Sequence, residues 1–135
     1  MPVIRDKIFA IRQYRYSVGQ WALELPAGQI EEGESPEEAA VRELKEEIGC
    51  DVMRLTELGT TFPSIGCTSE KVYLFAAECT MGSRTAFDPT EQIEGNLLYV
   101  SEFQKAVERG ELLCATNELA WRRYCTRNHH LLQLI

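Results

Sequence analysis

The chain has 135 residues, 44% of them hydrophobic and 26% charged, with a formal net charge of −7. This is the length of a single domain, 1–135; no apolar run approaches the ~20 residues that a helix crossing a bilayer demands, and no internal repeat or low-complexity stretch is present. Five cysteines without a C-x-x-C pair or zinc spacing read as free, mostly buried thiols of a cytoplasmic protein, and no signal-peptide pattern opens the chain.

In chain order, "VIRDKIFAIRQYR" predicts a hairpin turning near Asp6 and Lys7, with a strand over 8–12. "WALELPAG" alternates at Trp21, Leu23 and Leu25 and stops at Pro26. "SPEEAAVRELKEEIG" predicts a helix with unusually complete punctuation. Ser35 is the N-cap, Pro36 the first helical residue, Glu38 the partner of a capping box and Gly49 the C-terminal cap. "MRLTELGTTF" and "EKVYLFAAEC" predict strands, the second buried because 72–77 is nearly all apolar. "NLLYV" predicts one more. Ser101 is expected to cap a helix ending near Gly110, and Thr116 to open a last helix through His130. Strands and helices mix without regular alternation, which favours an α/β (α+β) fold with a mixed sheet covered by helices on both faces.

Charge is concentrated. Residues 24–51 hold ten acidic and two basic side chains, a local net of −8 that leaves the rest of the chain near +1. At about 100° per residue, Val41, Leu44 and Ile48 form the expected core stripe, and Glu43, Glu46 and Glu47 share roughly the opposite side. Glu43 and Glu47 are a like-charged i,i+4 pair, which costs a few tenths of a kcal/mol. On the residues alone this face is either solvated helix surface or a cation platform. Mg²⁺ suits the second reading, because it takes hard carboxylate oxygens together with waters and substrate phosphates. A calcium loop of the D-x-[DN]-x-[DN]-G type is absent.

The same stretch resembles the Nudix box, G-x5-E-x7-R-E-U-x-E-E-x-G-U with U a bulky aliphatic residue. The match runs Gly28, Glu34, Arg42-Glu43-Leu44, Glu46-Glu47-Ile48-Gly49-Cys50, with Cys50 a small apolar substitute in the last position. The resemblance implies a Nudix-type α/β/α sandwich. It also implies Mg²⁺-dependent hydrolysis, with Mn²⁺ as a substitute, of a nucleoside diphosphate linked to another moiety. By position, Glu43 and Glu47 are the implied principal metal ligands, joined by the Ala27 carbonyl, with Glu46 an additional ligand or a water-orienting carboxylate; Glu46 and Glu47 are also the implied catalytic residues of the box. Glu34 and Arg42 are implied to pair as structural residues, with Gly49 closing the box.

Outside the box, "IRQYR", "ELPAG" and "FPSIGCTSE" are similar to segments of the ADP-ribose pyrophosphatase branch, and the resemblance covers roughly 8–125. It implies ADP-ribose or a related nucleotide sugar as substrate and a homodimer as the assembly. Arg12, Arg15, Gly28 and Glu70 are candidate substrate contacts. Tyr14 and Trp21 are candidates for stacking a base, and ordinary packing is the reading favoured for each. In the late loop "FDPTEQIEG", Glu91 matches a metal-site and catalytic glutamate, while the branch's base position holds Pro89. The general base therefore stays open among Glu91, Glu94, Glu46 and hydroxide held by the metal. Competing readings are an RNA 5′-end or dinucleoside polyphosphate hydrolase and a non-catalytic nucleotide sensor. Only 5–15 or 122–127 supply enough basic residues to approach an RNA, and the intact glutamates argue against a pure sensor.

Overall fold

The computed structural model describes residues 1–82 and 93–129. Its elements are β1 (Pro2–Ile4), β2 (Lys7–Arg15), β3 (Gln20–Glu24), α1 (Pro36–Ile48), β4 (Cys50–Thr61), β5 (Val72–Met81), β6 (Ile93–Tyr99), α2 (Val100–Glu108) and α3 (Ala115–Arg127). The expected hairpin is β1 to β2, and the left-handed residue of its turn is Arg5, with φ 58°.

The six strands form one mixed sheet in the order β3-β2-β1-β5-β4, with β6 also paired to β2. β1 and β5 run parallel, and the other pairs are antiparallel. Because side chains alternate across a strand, β2 feeds two cores. Phe9 and Ile11 join Leu44, Ile48, Cys50, Ala77 and Cys79 under α1. Ile8 and Ala10 face the other way, with Leu23, Leu74, Phe103 and Trp121 under α2 and α3. The result is the expected three-layer arrangement of helix, sheet and helices. α2 and α3 are tied by a buried bond from Trp121 Nε1 to Gln104 Oε1, 2.6 Å.

Three local expectations change. Val41 is 41% exposed, so the core stripe of α1 is Ala39, Leu44 and Ile48. α2 starts two residues early: Tyr99 is its N-cap residue, its N–H donating to Glu102 at 2.8 Å, and Ser101 lies inside the first turn. α3 starts after Cys114, which places Thr116 at its second position; His130 lies outside the described residues. All five cysteines are free thiols, with Cys50, Cys79 and Cys125 buried and Cys67 and Cys114 exposed. Burial pushes the Cys125 thiol up to about 11.

β4 carries a register shift between Glu57 and Gly59, where Gly59 has φ 104°. Arg123 of α3 donates to the carbonyls of Leu58 and Thr60, each at 3.2 Å, and Arg127 donates to that of Glu57.

Candidate active site

Residues 25–35, between β3 and α1, together with α1 itself carry the acidic stretch. α1 begins as its sequence dictates. Ser35 Oγ accepts the Glu38 N–H at 3.2 Å, and Glu38 accepts the Ser35 N–H at 2.8 Å. Gly49 ends the helix in the left-handed conformation, φ 67°, which a side chain would disfavour.

Arg42 is the hub of the site. Its Nε and Nη2 donate to the two oxygens of Glu34 at 2.9 and 3.0 Å, the bidentate fork that guanidinium and carboxylate favour. Nη2 also reaches the Gln29 carbonyl at 2.8 Å, and Nη1 reaches Glu43 at 2.8 Å and Glu46 at 3.0 Å. One cation thus staples the loop to the helix and offsets part of the repulsion on the acidic face. The bond from Arg42, followed by the Glu31 N–H at 3.0 Å, holds the Glu34 carboxyl below the usual carboxylate range. The Ser35 N–H does the same for Glu38. Lys45 pairs with Asp51 at 2.7 Å, away from this cluster.

Gly28 lies against Glu43. A Cβ built at Gly28 would stand 1.9 Å from the Glu43 carboxyl carbon, so only glycine lets the carboxylate sit beside the loop. Both line a cleft of about 520 Å³ together with Ala27, Glu70 and, from α3, Asn117. Ala27, Gly28, Glu43 and Glu70 are therefore brought together as the sequence suggests.

The two candidate arginines part company. Arg12 and Arg15 are three residues apart on a strand, so their side chains leave opposite faces. Arg15 lies on the α1 side and is bound by Glu24, with Nε to Oε1 at 2.7 Å and Nη2 to Oε2 at 2.5 Å. Glu24 is 6% exposed, and its hydrogen bond raises the arginine's pKa. The fork leaves Nη1 of Arg15 as the nitrogen without a hydrogen bond among the described residues. Arg12 lines a different cavity with Trp21, Lys105 and Arg109, so it is not brought to the box. Tyr14 and Trp21 pack edge to face, centroids 5.9 Å apart, which fits the packing reading. Glu46 stands at the exposed edge of α1, its side chain 57% exposed, and Glu94 lies on β6 across from Arg12. Glu91 and Pro89 lie outside the described residues.

Sequence reading missed Glu24 and Asn117. A charge between Leu23 and Leu25 signals a buried partner, and Asn117 interrupts the stripe that continues through Ala120, Trp121 and Tyr124. Neither signal identifies a partner without the fold.

A divalent metal fits the donor chemistry here. Among the described residues no three His, Cys, Asp or Glu side chains form a ready-made cluster. Magnesium does not need one, since one or two carboxylates with waters and substrate phosphates suffice. Glu43 is partly buried, with Arg42 occupying its Oε1, and Glu47 follows one turn later. Both offer hard oxygens; Glu43 and Ala27 line the cleft, and Glu47 is not among its lining residues.

This capped acidic helix, stapled to a glycine loop and laid on a mixed sheet, defines a Nudix domain, and residues 1–120 match the NUDIX domain family. The chain belongs to that family. It is similar to an ADP-ribose pyrophosphatase of Bacillus subtilis (strain 168), 33% identical over 84% of this chain and 63% of the relative. It is also similar to an ADP-ribose pyrophosphatase of Escherichia coli (strain K12), 32% identical over 87% of this chain and 60% of the relative. The chain thus spans about three-fifths of the length of these two curated relatives. A crystal structure of an ADP compounds hydrolase superposes with a TM-score of 0.82 at 27% identity, covering 94% of this chain and 70% of that one.

Proposed function

We propose that the protein hydrolyses ADP-ribose, or a closely related nucleotide sugar, to AMP and a sugar phosphate with Mg²⁺ as cofactor. The observation that carries this reading is the Glu43 carboxylate held against Gly28 at a cleft edged by Glu70. Two relatives named ADP-ribose pyrophosphatase support the choice of substrate. Glu43 and Glu47, with Glu46 and the Ala27 carbonyl, would hold the ion. When bound, a divalent ion supplies Lewis-acid polarisation of phosphoryl oxygens.

The chain's own residues do the rest. Arg42 keeps Glu43 and Glu46 in place and prevents their mutual repulsion from splaying them. Arg15, its other edge fixed by Glu24, directs Nη1 to a phosphate oxygen, the geometry in which guanidinium excels. Glu70 orients the substrate at the rim. Glu34 and Gly49 hold the loop and helix in register. Glu91 remains the expected additional carboxylate from the late loop.

The RNA-end reading needs a free basic approach, and the arginines of α3 do not offer one. Arg122 is bound to Glu118, and Arg123 and Arg127 to carbonyls of β4. The test compares kcat/KM for ADP-ribose, ADP-glucose, diadenosine polyphosphates and 5′-triphosphate RNA under one Mg²⁺ condition. ADP-ribose is expected to be the best or near-best substrate. A rate about a hundredfold below the RNA or the dinucleotides, ~2.7 kcal/mol in barrier, would move the assignment to them. Glu47→Gln is expected to lower kcat by orders of magnitude while the fold persists; near-wild-type turnover at saturating Mg²⁺ would remove the metal assignment.

A further inference from the structure

Asn117 is the third residue of α3 and lines the same cleft as Gly28, Glu43 and Glu70. It is 7% exposed, and its Nδ2 is closed off from solvent with no hydrogen-bond partner. Its backbone N–H is bound by the Cys114 carbonyl at 3.0 Å, and no side-chain cap bond is made at this helix start. Leu25, Leu74, Phe75 and Ala120 give the cleft apolar walls, and Gln29, Lys71 and Thr116 line it as well. A buried amide without a partner costs stability, and an aliphatic residue would pack there without that penalty. Folding gives no reason for asparagine at this position; a ligand does.

The chemistry of that ligand is constrained from two sides. A carboxamide is uncharged, and phosphate is better served by a charged donor such as Lys71, which lines the same cleft. A sugar carries several hydroxyls, each of which would lose its partner against apolar walls. A nucleobase has two apolar faces and one polar edge, the pattern such a cleft accepts. The carboxamide offers one acceptor and one donor side by side, and rotation about its last bond exchanges them. That pair complements the N6–H and N7 of adenine, which asparagine binds bidentately.

We propose that the part of the cleft against α3 is a base subsite and that Asn117 is a specificity residue that reads adenine. The proposal rests on the reading of the substrate as an ADP derivative, and its test separates the two. Wild type, Asn117→Leu and Asn117→Ala are compared on ADP-ribose and on the hypoxanthine analogue, IDP-ribose, which lacks the 6-amino donor. Leucine keeps the size and removes the amide; alanine reads the same loss if leucine fails to fold. Wild type should prefer ADP-ribose through KM. Both variants should raise KM for ADP-ribose about tenfold, the scale of one or two neutral hydrogen bonds, with kcat within about threefold. The preference over IDP-ribose should fall to near unity. Asn117→Leu should melt at or above the wild-type temperature without ligand. Unchanged KM and unchanged preference would overturn the proposal while leaving ADP-ribose hydrolysis intact. If wild type hydrolyses neither compound, the substrate reading fails, and AMP alone decides the subsite by thermal shift without metal. A shift in wild type that Asn117→Leu loses retains it; no shift, or an equal one, overturns it.

Discussion

A methyl group on residue 28 would overlap the Glu43 carboxylate, its carbon 1.9 Å from Cδ. The atom in its way is the end of a flexible side chain, so the conflict resolves by moving Glu43 rather than the backbone. Gly28→Ala is therefore expected to leave stability within about 1 kcal/mol of wild type. The same displacement should lower kcat/KM about a hundredfold, as an ångström of misplacement can. Urea denaturation and kinetics on one preparation check both halves; loss of stability without loss of activity would contradict this account. Glu24 makes the complementary case. It is buried and binds Arg15 through two hydrogen bonds. Glu24→Gln keeps the shape but replaces a carboxylate by an amide, so one guanidinium contact loses its acceptor. KM for ADP-ribose, the proposed substrate, should rise while kcat changes less. A kcat loss with unchanged KM would instead place Glu24 in the chemical step.

At the scale of elements, the loop over 25–35 and α1 form one unit held by charge, and charge makes it sensitive to acid. Glu34 and Glu38 have folded-state pKa values below the ordinary one. Depressed carboxylates stabilise the fold fully above about pH 4.3, the unperturbed glutamate value, and the gain is lost as pH falls through the lowered values. The loop should therefore become protease-sensitive as pH drops below about 4, and Glu34→Gln should show that sensitivity already at neutral pH. A profile unchanged by Glu34→Gln would mean that the fork does not hold the loop. At the other end, Gly49→Ala places a Cβ in the left-handed region and should cost about 1–2 kcal/mol, read by the urea midpoint. This unit was also the most legible part of the sequence. Ser35, Pro36, Glu38 and Gly49 are local signals, each acting within one helical turn, and the structure places all four as read. Val41 was misread because helical spacing gives an angle and not the width of the covering sheet. The starts of α2 and α3 were misread because Tyr99 and Cys114, not Ser101 and Thr116, occupy the terminal positions. Arg12 and Arg15 looked equivalent in sequence, and strand alternation separates them. Glu24 and Asn117 stayed hidden because their meaning depends on residues 9 and some 90 positions away.

Over the whole molecule, the acidic block should couple stability to divalent cations. Mg²⁺ binding to the native state alone should raise Tm by an amount that grows with concentration. NaCl at matched ionic strength is the control, and equal shifts would mean screening. Assembly is the other whole-molecule question. β3 and β6 are edge strands of the sheet, and exposed apolar side chains such as Tyr16, Val18 and Trp21 cluster near the β2–β3 hairpin. We expect a homodimer in solution. Light scattering at tens of micromolar that returned the 15.4 kDa of one chain would rule out a stable one.

β4, the remaining edge, tells a different story. Its kink at Gly59 turns backbone oxygens toward α3, and Arg123 and Arg127 occupy three of them. A foreign strand that tried to zip onto this border would find its docking points already taken. The two arginines thus act as a guard against runaway sheet growth, a duty separate from any chemistry in the cleft. Replacing both with glutamine should leave fresh enzyme active yet shorten its life in solution, with turbidity and thioflavin fluorescence rising on storage. A doubly substituted protein that stayed as clear as its parent would show that the kink alone keeps the border closed.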